Sequence, residues 1–192
     1  MPYRKLYHDR QQAAEDSLPR QWYVDDALSL QWVENITAQA TDALPFEGLR
    51  GFIVRRPCAA THGLTSIFDI VIAEGQDEFY ERFVTIKEIM HCYFESDGGT
   101  MTDNQFALDT HIRQFFGLSA TTQSLHVKAE YTALWMAMGV LCPEQRRKEF
   151  RQRFEAEEMS LAEIAKLVRA PDHIVRRLLT DQFEDEIREI LN

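Results

Sequence analysis

The sequence predicts an α+β domain, in which a small β-sheet in the first half of the chain packs against helices that dominate the second half. Two runs rich in β-branched and apolar residues, 51–56 and 64–73, indicate neighbouring strands separated by a stretch that contains Pro and Gly. After residue 78, apolar residues recur mainly at helical spacing. A chain of 192 residues is long enough for one such domain, or for one domain with a small appendage.

Composition and charge exclude several classes of protein. The chain carries 21 Lys and Arg against 31 Asp and Glu, so its net charge of −10 argues against a general phosphate-binding surface but leaves room for a local basic patch. Its three cysteines are scattered and form no C-x-x-C pair, which argues against a disulfide framework or a zinc knuckle. The N-terminus has no apolar signal core, and no apolar run is long enough to span a bilayer. A cytoplasmic protein without membrane contact is therefore expected.

The segment before the sheet is predicted to be polar at first and then helical. Residues 1–24 are mostly polar and predict a loosely docked lead-in. Between residues 25 and 40, four apolar residues recur at helical spacing behind a possible cap at Asp25 or Asp26. These four residues are Leu28, Trp32, Val33 and Ile36. Residues 43–51 have the composition of a loop.

Helices account for most of the chain that follows the sheet. They are predicted over 78–94, 105–117, 126–141, 144–158, 161–168, 171–179 and 183–192. Pro143 ends the third of these helices, Ser160 and Glu163 form a capping box at the start of the fifth, and Pro171 fits the first position of the sixth. The chain therefore divides into a lead-in (1–24), a core (25–143) and a C-terminal helical module (144–192).

The first helix after the sheet contains the sequence K-E-x-x-H, formed by Lys87, Glu88 and His91. In the related pattern H-E-x-x-H, two histidines one helical turn apart bind zinc, and the glutamate acts as general base on the metal-bound water. Lys87 takes the place of the first histidine, and an ammonium group has no lone pair for a metal. On these five residues alone, an ordinary amphipathic helix that carries a glutamate and a histidine is the preferred interpretation.

A second helix strengthens the comparison with zinc peptidases. It carries Glu130 on a helix of small residues that Pro143 terminates, with Ala133 and Ala137 at helical spacing from the glutamate. Small residues allow two helices to approach closely, as a metal site shared between helices requires. We therefore expect Glu130 to lie near Glu88 and His91.

The order of two strands, the K-E-x-x-H helix, the Glu130 helix and a C-terminal helix pair resembles the ImmA/IrrE family of gluzincin-type metallopeptidases over roughly residues 25–180. The resemblance implies a zincin-like helical core with a small sheet, followed by a helix-turn-helix-like module. It places Glu88 at the general-base position, and His91 and Glu130 at two metal-ligand positions. The positions that it assigns to packing are Phe83, Ala133, Ala137, Val140 and Pro143.

The chain departs from the family pattern at several positions. Lys87 replaces the first metal ligand, Met136 replaces a phenylalanine, Val140 replaces a leucine, and the segment between the two motif helices is longer. With two ligands and a fixed positive charge, zinc affinity is expected to fall steeply. We expect Lys87 itself to occupy the cation position and to pair with Glu130 and with Glu88. Three further histidines are candidates to substitute for the lost ligand, but their positions are more typical of loops or of the surface: His62, His111 and His126.

The C-terminal helix pair has the sequence pattern of a helix-turn-helix, with an apolar helix, a short turn and a second helix that begins at Pro171. Its second helix would present Asp172, His173, Arg176 and Arg177 to DNA or to a protein. Residues 160–192 contain five Lys and Arg against seven Asp and Glu, a net charge of −2, which makes direct binding of nucleic acid unfavourable. Packing or protein contact is the preferred interpretation.

The resemblance also implies a regulatory role. Peptidases of this family act on, or associate with, a helix-turn-helix repressor of a stress response, prophage or mobile element. The sequence is therefore interpreted as a catalytically impaired pseudo-peptidase that binds such a repressor and needs no cofactor. Two alternatives stay open: an active zinc endopeptidase that cleaves the repressor, and a DNA-binding regulator that uses residues 160–180.

Overall fold

The computed structural model of the protein describes residues 2–44, 50–60, 63–94 and 125–192. Within these ranges the chain forms eight α-helices, one 3-10 turn and three strands, which confirms the predicted α+β class. In chain order they are α1 (Pro2–Gln12), α2 (Arg20–Leu28), β1 (Val33–Thr41), β2 (Gly51–Ala60), β3 (Gly63–Ala73), α3 (Glu78–Met90), the 3-10 turn η1 (His91–Tyr93), α4 (Leu125–Gly139), α5 (Glu144–Glu155), α6 (Leu161–Val168), α7 (Asp172–Leu178) and α8 (Asp181–Leu191). The predicted helix 105–117 lies outside the described residues.

The sheet has the strand order β1-β3-β2. Strands β2 and β3 pair antiparallel, which confirms the predicted neighbouring strands, and β1 pairs with β3 in parallel. On one face of the sheet, Ile53, Phe68, Ile70 and Ile72 are buried in the main core. That face packs against α3, so the sheet supports the helix that carries the K-E-x-x-H residues.

The helix predicted over residues 25–40 is wrong. Helix α2 ends at Leu28, and β1 begins at Val33. The apolar residues that suggested one helix therefore belong to two elements: Ile36 pairs with Phe68 on β3 instead of continuing a helical face. Strand β1 contains β-branched residues, and the ladder with β3 satisfies its backbone groups, so tertiary pairing overrides a weak local periodicity.

The expectation of a loosely docked N-terminal segment is also wrong. Tyr3, Leu6 and Arg10 recur along one face of α1 and are fully buried. The hydroxyl of Tyr3 donates a hydrogen bond to the carbonyl of Met136 on α4, at 2.9 Å. Gly139 makes this close approach possible, because a Cβ there would lie only 2.6 Å from the Tyr3 hydroxyl.

Three buried arginines connect helices by donating hydrogen bonds to backbone carbonyls at the C-terminal ends of other helices. Each donates to carbonyls at or just beyond the end of a helix, where no further turn supplies backbone amides to donate to them. Arg10 bonds the carbonyls of Val140 and Leu141 after α4. In the same way, Arg82 bonds Val168 and Arg169 at the end of α6, and Arg147 bonds Leu178 at the end of α7. A guanidinium at a helix C-terminus also complements the helix dipole.

The C-terminal helices follow the sequence signals closely. The capping box is present, with the amide of Glu163 donating to Ser160 Oγ and the Ser160 amide donating to the Glu163 carboxylate. Pro171 is the N-cap of α7, and not its first helical residue as predicted. No helix in the described ranges combines the length and apolar character needed to cross a membrane.

Replacement of Arg10 by methionine should test the docking of α1. The substitution keeps the aliphatic stem but removes donors to the carbonyls of Val140, Leu141, Glu15 and Asp16. We expect the free energy of unfolding to fall by about 2–3 kcal/mol, because buried carbonyls lose a charged donor. Urea denaturation measures this, with the exposed Arg4→Met as the matched control. Equal effects of the two substitutions would contradict the structural role of Arg10.

Candidate functional site

Helix α3 is well defined at its start, and its end carries the candidate site. The side chain of Asp77 caps the helix by accepting hydrogen bonds from the amides of Phe79 and Tyr80, at 2.9 and 3.0 Å. Lys87 and Glu88 lie in the last turn, and His91 is the C-cap residue. The helix therefore presents its acid and base groups where it passes into η1.

Helix α4 packs against α3 and carries small, buried side chains. Ala129, Ala133 and Ala137 are buried, the last two completely. This close approach places Glu130 next to the end of α3, as its ion pair with Lys87 and its close contact with His91 show. The sequence-based expectation that Glu130 lies near Glu88 and His91 is confirmed as a matter of geometry.

Lys87 bridges the two carboxylates. Its Nζ lies 2.9 Å from Oε1 of Glu88 and forms a close ion pair with Oε2 of Glu130. The side chain of Glu88 is 1% exposed, that of Lys87 17% and that of Glu130 30%. One ammonium group thus pairs with one oxygen of a deeply buried carboxylate and one oxygen of a half-buried carboxylate.

His91 lies against the remaining oxygens of the same carboxylates. Its Nε2 is 3.2 Å from Oε1 of Glu130 and 3.8 Å from Oε2 of Glu88. Its ring meets the ring of Phe94 edge to face, with centroids 5.5 Å apart. Among the described residues, both ring nitrogens of His91 and Oε2 of Glu88 are buried without a hydrogen-bond partner, so the approach of His91 to Glu130 is a close polar contact without hydrogen-bond geometry.

The electrostatics of the cluster favour the charged forms of Lys87 and Glu130. Burial by itself lowers the pKa of Lys87, but the carboxylates of Glu130 and Glu88 outweigh burial and raise that pKa above its usual value. Burial also raises the pKa of Glu130, but the positive charge of Lys87, together with the neighbouring His91, reverses this effect, so that the pKa is held well below its usual range. Lys87 is therefore a cation, and Glu130 an anion, at neutral pH.

The sheet closes the other side of Glu88. Gly51, the first residue of β2, packs directly on α3: a Cβ at this position would lie 2.5 Å from Cγ1 of Val84 and 3.8 Å from Oε1 of Glu88. Sequence reasoning had assigned no role to Gly51. The available signal was a glycine at the junction of a loop and a strand, where a close backbone approach is a common reason for glycine.

The arrangement of these residues does not fit zinc as it stands. The ammonium of Lys87 contacts both carboxylates, where a metal would have to bind them. Within the described ranges, no three His, Cys, Asp or Glu side chains form a group suited to hold a metal. The three histidines considered as substitute ligands, His62, His111 and His126, have side chains outside the described part of the chain.

The four candidate contact residues of α7 lie away from this cluster. Asp172, His173, Arg176 and Arg177 are all exposed. The ring of His173 stacks on Tyr80 of α3, and its Nδ1 lies 3.0 Å from the Tyr80 hydroxyl. Partial burial, together with the nearby Arg50 and Arg177, lowers the pKa of His173.

The contact between His173 and Tyr80 belongs to a larger junction. Arg169, which follows α6, forms an ion pair with Glu78 at the start of α3, and Arg82 of α3 donates to the end of α6. His173 is thus used to dock the helix pair on α3. Asp172, Arg176 and Arg177 remain exposed on the outer side of α7.

Replacement of Lys87 by alanine should destabilise the protein strongly. Without the ammonium group, the buried carboxylate of Glu88 loses its cation, and so does that of Glu130. We expect the free energy of unfolding at neutral pH to fall by on the order of 3 kcal/mol. The exposed Lys166→Ala serves as control and should change it by less than about 0.5 kcal/mol in urea denaturation. An unchanged midpoint in Lys87→Ala would show that the ammonium is solvated.

The lowered pKa of Glu130 should make stability depend on acid pH. An unfolded glutamate titrates at about pH 4.3. The contribution of Glu130 is therefore complete above about pH 5 and is lost as the pH falls below that value. The raised pKa of Lys87 keeps the lysine charged throughout this range. We expect the urea midpoint of the wild type to fall more steeply with acid than that of Glu130→Gln, whereas Glu158→Gln should follow the wild type. Parallel profiles for wild type and Glu130→Gln would be incompatible with a buried ion pair.

No protein-family model, curated protein or solved structure matches this chain.

Proposed function

We propose that this protein is a catalytically impaired relative of the ImmA/IrrE peptidases that acts in the cytoplasm as a regulatory protein-binding module. The observation that carries this proposal is the position of Lys87, whose ammonium contacts Glu88 and Glu130 together. The ammonium supplies the positive charge that the zinc ion would supply in an active relative. The helix pair is thereby stabilised without a metal.

The geometry near Lys87 supports binding better than hydrolysis. A general base needs a free carboxylate oxygen within reach of a water that is held for attack. Oε1 of Glu88 is bonded to Lys87, and the side chain is 1% exposed, so that its second oxygen, Oε2, is buried away from solvent water. An ammonium group can neither coordinate a hydroxide ion nor polarise a carbonyl as zinc does. The chain therefore keeps the arrangement of a zincin-like site while lacking its electrophile.

The partner that we propose is a helix-turn-helix repressor of a stress, prophage or mobile-element circuit. The family resemblance supports this assignment, together with the helix-turn-helix-like pair α6–α7. That pair is docked on α3 and still exposes Asp172, Arg176 and Arg177 for contact with a protein. DNA binding through residues 160–180 is less favoured, because His173 is already engaged with Tyr80.

One observation favours the rival function of a zinc endopeptidase that cleaves the repressor. In the part of the chain that the structure describes, both ring nitrogens of His91 and Oε2 of Glu88 are buried without a hydrogen-bond partner. A metal that displaced Lys87 would bind such atoms. The two functions differ in whether the wild-type protein holds zinc.

Replacement of Lys87 by histidine should create zinc binding. The new imidazole would stand one helical turn before His91, and Glu130 would complete three ligands, with water in the fourth position. We expect elemental analysis after dialysis to find about one zinc per chain in Lys87→His and none in the wild type. Zinc should also raise the melting temperature of the variant, and a chelator should reverse this effect.

Two control variants test whether zinc binding depends on the new imidazole at position 87. Lys87→Ala removes the ammonium without adding a ligand, and Lys166→His adds an imidazole on the exposed face of α6. Neither should bind zinc stoichiometrically. A wild-type protein with one tightly bound zinc per chain, ligated by His91 and Glu130, would overturn the pseudo-peptidase proposal in favour of the enzyme. A Lys87→His variant that stays metal-free in excess zinc would remove the basis for the family assignment.

A further inference from the structure

Arg10 and Arg82 are buried cations that have no carboxylate partner in the described part of the chain. Arg10 is fully buried, and Arg82 is 3% exposed. Their hydrogen bonds go to backbone carbonyls, at Val140, Leu141, Glu15 and Asp16 for Arg10 and at Val168, Arg169 and Leu18 for Arg82. By contrast, Arg147 pairs with the carboxylates of Glu144 and Glu184. A buried charge is costly unless an opposite charge compensates it.

The loop between α1 and α2 holds the two guanidinium groups near each other. Arg10 donates to the carbonyl of Asp16 at 3.0 Å, and Arg82 donates to the carbonyl of Leu18 at 2.9 Å. These two carbonyls are two residues apart along the chain, and such a span covers at most about 7 Å. The two guanidinium groups therefore bind the backbone on either side of Ser17.

Tyr23 lies beside both cations. Its hydroxyl donates to the carbonyl of Val140 at 2.9 Å, and Nε of Arg10 donates to the same carbonyl at 3.0 Å. Cζ of Arg82 lies 6.0 Å from the centroid of the Tyr23 ring. Burial raises the pKa of Tyr23, and the charges of Arg82 and Arg10 oppose this rise. Burial also lowers the pKa of Arg82, and the charges of Arg169 and Arg10 act in the same direction, so the two buried cations repel each other.

Three side chains at this place keep a buried donor without an acceptor. Among the described residues, Nη1 of Arg10, Nε of Arg82 and the hydroxyl of Ser17 are buried and have no hydrogen-bond partner. The two nitrogens can only donate, and the hydroxyl can donate as well. An anion accepts from all three, whereas a water molecule also needs acceptors for its own two protons. Two positive charges without a paired carboxylate likewise favour an anion over a neutral ligand.

We propose that Arg10, Arg82 and Ser17 form a buried binding site for a small monovalent inorganic anion, with chloride as its occupant in solution. The anion accepts hydrogen bonds from Nη1 of Arg10, Nε of Arg82 and the Ser17 hydroxyl, and it screens the repulsion between the two cations. A small ion of single charge fits this place better than a sulfate or a phosphate, because it costs less to remove from water. The inference goes beyond the proposed function and does not depend on it, since none of the three residues belongs to the cluster around Lys87.

Urea denaturation of the full chain at constant ionic strength tests the proposal, with chloride replacing gluconate, an anion too large for a buried site. A ligand that binds the folded chain alone shifts the folding equilibrium, so chloride at about ten times its Kd should raise the folding equilibrium constant about 11-fold. The urea midpoint should therefore rise with chloride and then level off, whereas a general salt effect on the protein surface does not saturate. Ser17→Ala and Arg82→Lys each remove a donor to the anion. Each should weaken chloride binding about tenfold, as the loss of a hydrogen bond to a charged group implies.

Two matched controls are Ser29→Ala, at an exposed serine, and Arg147→Lys, which removes a buried guanidinium that is already paired with carboxylates. Both should keep the chloride dependence of the wild type, even where stability falls. The urea transition itself shows whether a variant is folded, and Ser17→Ala serves if Arg82→Lys is not. A wild-type midpoint without a saturable rise up to about 0.5 M chloride overturns the proposal. So does a rise that the folded Ser17 and Arg82 variants leave unchanged, or that Arg147→Lys reduces as much as they do.

Discussion

A carboxylate that is removed from water must be paired with a cation, and this constraint decides how α3 and α4 meet. Glu88 is buried between the sheet and α4, and Lys87 supplies its cation. Because Lys87 also pairs with Glu130, the same ammonium joins the two helices. The sheet side of α3 is equally restricted, since Gly51 leaves no room for a side chain above Val84. The charged cluster, the helix pair and the sheet therefore stabilise one another.

Buried polar groups are also paired with cations elsewhere in the molecule, where guanidinium groups donate hydrogen bonds to backbone carbonyls. Arg10, Arg82 and Arg147 are buried and donate to carbonyls at the ends of three different helices. These bonds connect α1 to α4, α3 to α6 and α5 to α7. Short helices are marginal by themselves, so the contacts at their ends contribute much of what keeps the C-terminal helices in place. A chain with an excess of acidic residues thus uses several of its cations inside the fold.

The use of these cations inside the fold bears on what the helix pair α6–α7 and the candidate site can bind. A helix-turn-helix pair that reads DNA needs exposed basic side chains. Here Arg169 pairs with Glu78, and His173 stacks on Tyr80, so part of the polar surface of α6–α7 serves the junction with α3. In the candidate site, Lys87 stabilises a charged cluster that would otherwise need an external ion. Both observations support the proposed role of the protein as a scaffold that binds another protein.

The sequence by itself determined the α+β class, the β2–β3 pair, helix α3 and the capping box, because these depend on local periodicity and on side chains within one turn. It also placed Glu130 beside His91, through a pattern of small residues on α4. Only the tertiary structure decided that Val33–Thr41 is a strand, because its ladder with β3 is formed over a separation of about thirty residues. The burial of Tyr3 and Arg10 could likewise not be predicted from the polar N-terminal segment, since their partners are backbone carbonyls that carry no sequence signal.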